Sequence, residues 1–212
     1  MLRIFVASVL LVGGMTALAA GAAATTPFDP TKYARTVTEC DRLAAHPEDP
    51  YAVAPGRTRA EVLAVADRAL AACQAAVEAD PQNPRLRYQL ARVYGYSGQG
   101  EKALPHRKAA VEADYPQALF VVGFLYLTGL NQNPKDVCRA GELIRESAQQ
   151  GRLAGQVGFV RYALQGLFDD CPVVRDPDEM LAFLTAAREQ IGGDYYKGLL
   201  VDVLEERVKA SR

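Results

Sequence analysis

Helix starts and stops recur along this chain at intervals that suit only short antiparallel helices. Asn83-Pro84, Asn133-Pro134 and Asp176-Pro177 each set a capping side chain before a proline at the first helical position. Proline is harmless there, because the N–H it lacks is one that a helix leaves unbonded anyway. Thr58 and Glu61 form a capping-box pattern ahead of an apolar face at Leu63, Ala66, Leu70, Cys73 and Val77. Asp176 with Glu179 makes a second box. Gly98-Gln99-Gly100, Gly129, Gly151 and Gly192-Gly193 mark the stops. No window alternates as a strand does. The punctuation predicts helices over 58–79, 84–97, 101–114, 116–128, 134–150, 152–165, 177–190 and 194–210. The expected class is all-α, built from antiparallel helix pairs.

Composition agrees with that class and excludes others. Thirty-five alanines in 212 residues favour close-packed helices over a sheet. A chain of this length buries a core as one domain or one short repeat array. With 23% charged residues, a formal charge of −1 and 50% hydrophobic residues, it is neither disordered nor a multi-span membrane protein. A pI near 6.2 lacks the basic excess that holds nucleic acid.

The first residues read as an address. Met1-Leu2-Arg3 gives a short basic start, an apolar run follows from Ile4 to Ala20, and Ala22-Ala23-Ala24 precedes polar Thr25-Thr26. That order predicts a cleavable signal peptide over 1–24 and a soluble, exported mature chain with no membrane span. Export places Cys40, Cys73, Cys138 and Cys171 in an oxidising compartment, where an even count predicts disulfides. Four cysteines allow three pairings. Cys40 and Cys73 are 33 residues apart, as are Cys138 and Cys171, and this equal spacing favours two successive bridges. No C-x-x-C or histidine cluster offers a metal site. Residues 25–56 hold five prolines and no sustained period, so they read as an extended strap in front of a helical domain over 57–212.

The helical domain carries an internal period. Leu90-Ala91, Tyr94, Gly98, Ala103, Ala110 and Asp114 fall where a tetratricopeptide repeat places its apolar, small and turn residues, although Arg107 stands at a core aromatic position. The run Ala118, Gly123, Tyr126, Gly129, Asp136, Ala140, Ala148 and Gly151 resembles a Sel-one-like repeat, and Ala154 and Tyr162 repeat Ala118 and Tyr126 at an offset of 36. The resemblance spans residues 60 to 190. It implies a short right-handed α-solenoid whose last helix, 194–210, acts as a charged cap.

Catalytic motifs do not emerge. His46 and His106 have no second ligand at metal spacing, and no serine lies in a nucleophile motif. Gly95 to Gly100 is glycine-rich but follows a helix, so it is a turn and not a phosphate cradle. Asp169-Asp170 reads as a solvated pair. The expectation is a non-catalytic protein with no cofactor, acting as an interaction or scaffold module for a protein or peptide of the bacterial envelope. An alternative is binding or modification of peptidoglycan or a related ligand. In the family this chain resembles, first helices line the concave face. That implies Arg85, Tyr88, Arg92 and Tyr96 on one unit and Phe120 and Phe124 on the next as binding residues. Arginine with tyrosine suits an acidic or aromatic segment.

Overall fold

The computed structural model describes residues 26–212, so the expected signal peptide lies outside the described residues. Ten α-helices and no strand are present among them. They are α1 (Glu39–Ala44), α2 (Arg59–Ala64), α3 (Ala66–Ala79), α4 (Pro84–Tyr96), α5 (Gly100–Glu112), α6 (Pro116–Thr128), α7 (Val137–Gln149), α8 (Leu153–Leu164), α9 (Pro177–Ile191) and α10 (Tyr195–Ala210). From α3 onward each helix packs on the next in sequence, most extensively α4 on α5 and α6 on α7. No helix of the described residues is long and apolar enough to cross a membrane.

Local chemistry explains most of the boundaries. Thr58 accepts from the Glu61 amide, and the Glu61 carboxylate accepts from the Thr58 amide at 2.7 Å, so the expected capping box opens α2. The expected single helix over 58–79 is interrupted at Val65, whose φ of −128° and ψ of 28° leave helical space. The break turns α2 so that it reaches α4 as well as α3. Asn133 does not cap α7. Its amide is spent on the Leu130 and Asn131 carbonyls, and Asp136 takes the cap instead by accepting from the Arg139 amide at 2.9 Å. Asp176 does cap α9, through the Asp178 amide. Glu179 does not close a box there, because Arg145 holds its carboxylate in a fork at 2.8 and 2.9 Å. Gly129 ends α6 in the left-handed conformation, at φ 72°, which a side chain would strain.

The strap is not wholly extended. A 3-10 turn occupies Pro30–Lys32, and α1 lies within the strap. Thr38 and Asp41 make a capping box that starts α1. Both disulfides form, Cys40–Cys73 and Cys138–Cys171, and they join the cysteines that share the 33-residue spacing. The first fastens α1 to α3. The second fastens the loop before α9 to the first turn of α7. Disulfides of this kind belong to an oxidising compartment.

Small residues set the helix spacing. A Cβ on Gly155 would lie 2.7 Å from the Ala148 amide nitrogen, so α8 meets α7 backbone to backbone. A Cβ on Gly123 would lie 2.7 Å from the Ile144 side chain and 3.2 Å from the Ala140 carbonyl, so α6 also packs closely on α7, though less tightly backbone to backbone than α8 does. Around these contacts Ile144, Phe159, Phe168 and Leu184 form one apolar core, and Leu86, Leu90 and Val93 form another beside the Cys40–Cys73 bridge.

Candidate functional site

Along α4, Arg85, Tyr88, Arg92 and Tyr96 are three or four residues apart, so helical geometry puts them in one stripe. The strap runs over the first part of that stripe. The Asp41 carboxylate pairs with Arg85 and accepts from the Gln89 amide at 2.9 Å. Arg85 also donates to the Ala34 carbonyl at 3.1 Å. Arg92 donates to the carbonyls of Ala44 and Ala45 at 2.9 Å each and of Arg57 at 2.5 Å. Arg85 is 4% exposed and Arg92 7%. Arg85 serves the strap, whereas Arg92 divides its donors among the strap, the Arg57 carbonyl and the Tyr96 hydroxyl and still lines the open cleft beyond.

Farther along, the strap docks through an acid and two aromatic rings. Tyr115 donates to the Asp49 carboxylate at 2.6 Å, and Phe28 packs edge-on against Tyr115 and Tyr51. Burial pushes the Asp49 carboxyl above its ordinary pKa, and the Tyr115 hydroxyl bond partly offsets that. Beneath these groups a hydrogen-bond chain crosses three helices. Gln117 of α6 donates to the Tyr88 hydroxyl of α4 at 3.0 Å and accepts from Arg152, the residue just before α8, at 2.6 Å. Arg152 also lies over the Phe120 ring, which is half-buried.

Where the strap turns away, a cleft of about 510 Å³ remains. Tyr88, Arg92 and Tyr96 of α4 form one wall, and Val121, Phe124 and Leu125 of α6 form another. Arg59, Arg107 and His46 complete it, and no carboxylate lines it. Two guanidiniums lie over the Tyr96 ring, Arg92 at 4.9 Å and Arg59 at 5.6 Å from its centroid. Arg107 is 6% exposed and donates to the Asn131 carbonyl at 2.8 Å. Among the described residues no carboxylate lies within 4 Å of Arg59, Arg92 or Arg107. Phe124 and Leu130 give the cleft an exposed apolar lip.

Burial, with Arg92 and Arg152 nearby, pulls the His46 pKa down to about 4, so this imidazole is neutral at pH 7. Its Nδ1 accepts from the Glu48 amide at 3.0 Å. Burial likewise lowers the Arg107 pKa from its ordinary value. The cleft therefore holds two buried arginines, Arg92 and Arg107, bonded to carbonyls, and one exposed arginine, Arg59, with no carboxylate in its lining. The buried Asp49 carboxylate acts on Arg92 from outside that lining.

Of the six residues expected on the binding face, the cleft gathers Tyr88, Arg92, Tyr96 and Phe124. Arg85 lies under the strap, and Phe120 lies under Arg152. Arg59, His46 and Arg107 were missed. Arg107 carried a signal, as an arginine at a core aromatic position, whereas Arg59 and His46 reach the cleft only through tertiary packing. Among the described residues no group of three or more histidines, cysteines or acids could hold a metal ion. No family model, curated protein or solved structure matches the chain.

Proposed function

We propose that this chain is an exported, non-catalytic interaction module of the bacterial envelope, a short solenoid of Sel-one-like and tetratricopeptide-type pairs that holds an acidic segment of a partner protein. The observation that carries this reading is the cleft of Arg59, Arg92 and Arg107, which is rich in aromatic residues and bare of carboxylates. The strap supports it, because it already meets the adjoining surface with Asp41 on Arg85, Asp49 on Tyr115 and the rings of Phe28 and Tyr51. A partner would continue in trans the chemistry that the strap supplies in cis. Residues 1–24, acting as a signal peptide, and the two disulfides fit a periplasmic or secreted protein.

The test is a titration of the mature chain with a fluorescent peptide of alternating Glu and Tyr. Binding should weaken as salt screens the arginines, and Arg59→Glu, at an exposed position, should weaken it at least tenfold. Saturable binding of muropeptide fragments without binding of the acidic peptide would transfer the cleft to the cell-wall reading. Absence of both would sink the assignment of this cleft.

A further inference from the structure

Beside the charged side chains expected of a cap, Lys197, Asp202, Glu206, Arg207 and Lys209, the outer face of α10 carries an apolar row. Tyr195 and Tyr196 are 70% and 82% exposed, Leu199 and Leu200 45% each, and Val203 53%. The inner face, Val201, Leu204 and Val208, is buried against α8 and α9. At 100° per residue the five exposed side chains and Glu206 and Arg207 share one side of the helix. Tyr195-Tyr196 lie just before Leu199, and Glu206-Arg207 follow Val203 at the same distance. The row is therefore its own complement when reversed.

We propose that this face binds a second copy of the chain, with the two α10 helices antiparallel across a two-fold axis near Leu200 and Val203. A two-fold contact requires one patch to fit itself, and this one does. Leu199, Leu200 and Val203 meet their counterparts at the centre. Each Tyr195-Tyr196 pair lies against the other copy's Glu206-Arg207, placing hydroxyls beside a carboxylate and rings beside a guanidinium. Those charges are available: Arg207 holds only the Leu164 carbonyl, at 3.4 Å, and Glu206 has no ion-pair partner among the described residues. Two tyrosines, two leucines and a valine cover about 600 Å² per copy, somewhat less than the roughly 800 Å² of a standard interface. The dimer is accordingly a modest one. This surface lies apart from the Arg–Tyr cleft and does not depend on the function proposed for it.

Sedimentation equilibrium of the mature, oxidised chain from 5 to about 200 µM tests the proposal. The expected result is a reversible monomer–dimer equilibrium. Leu200→Asp should weaken it at least tenfold with far-UV circular dichroism unchanged and little change in melting temperature, because Leu200 is 45% exposed and lies outside the buried core cluster. Tyr196→Glu should also weaken the dimer by facing Glu206, and adding Glu206→Lys should restore it. A monomer over the whole range overturns the proposal, and a dimer that Leu200→Asp leaves intact overturns this face. Monomers that cosediment with vesicles of phosphatidylglycerol would give the stripe to a lipid surface instead. Arg59→Glu, which disables only the cleft, should leave dimerisation untouched.

Discussion

Arg85 and Arg92 lie two turns apart on α4, and both act by replacing water for groups of the strap. Asp41 is fully buried, and Arg85 neutralises it. Removing one partner of a buried pair leaves the other charge stranded, at a cost of about 3–5 kcal/mol. Arg85→Met should therefore destabilise the chain by that order in urea unfolding. The double variant Asp41→Asn/Arg85→Met should recover part of the loss, which an additive pair would not do. His46 makes a second residue-level prediction. Its folded pKa, near 4, lies below its unfolded value near 6.5, so the unfolded chain binds more protons between those values. The His46 contribution is fully present above pH 6.5 and is lost as pH falls toward 4. His46→Gln should flatten that part of the stability–pH profile, measured by urea unfolding from pH 4 to 7. An unchanged slope would show that His46 is solvated. The α4 stripe itself was legible, because spacing of three and four residues defines a helix face. Its covering was not, since Asp41 and Arg85 are 44 residues apart and no local period links them.

At the scale of elements, helix punctuation was the most readable feature, and its failures are competitions between side chains. Asn133 and Asp136 both suit a cap, and the one whose carboxylate met a helical amide won. Glu179 suited a box but found a stronger, forked partner in Arg145. Helix α1 escaped the periodic reading because six residues span under two turns, although its Thr38–Asp41 box stood in the sequence. Close approach of helices was legible only as a surplus of Ala and Gly, and two glycines now separate its meanings. On Gly155 a methyl group would meet the α7 backbone at 2.7 Å, where nothing can swing aside. On Gly198, within α10, it would meet nothing within 4 Å. Gly155→Ala should cost about 1–3 kcal/mol through overpacking. Gly198→Ala should stabilise by about 0.5–1 kcal/mol, since alanine loses less backbone freedom in a helix. Opposite shifts in melting temperature are the expected outcome, and equal shifts would mean that α7 and α8 are not in backbone contact.

For the whole molecule, the disulfides decide how firmly irregular segments are held to the helical stack. Each closes a loop of 33 residues, and chain entropy puts the stabilisation of such a loop at about 4 kcal/mol. Losing both should remove most of a total stability that is typically about 5–15 kcal/mol. The two bridges nevertheless hold different things. Cys138–Cys171 ties the loop before α9 to α7, whereas Cys40–Cys73 ties the strap to α3. The strap's remaining anchors are polar contacts and rings, namely Asp41 on Arg85, the Arg92 donors, Asp49 on Tyr115, and Phe28, whose amide donates to Gln150 at 2.6 Å. Local opening governs proteolysis when reclosing is fast, so the bridge that holds the strap should control cleavage within it. Cys40→Ser/Cys73→Ser should speed tryptic cutting after Arg42 and Arg57 at least tenfold. Cys138→Ser/Cys171→Ser should leave those sites protected and instead expose Arg175, in the loop it releases. Peptide mapping of brief digests distinguishes the two. Equal protection of Arg42 and Arg57 in both variants would mean that the polar anchors alone hold the strap, with the bridge acting only on the unfolded chain. If the sites do separate, the surface of α4 under the strap is accessible by local opening, and that variant should also bind the acidic peptide at Arg85.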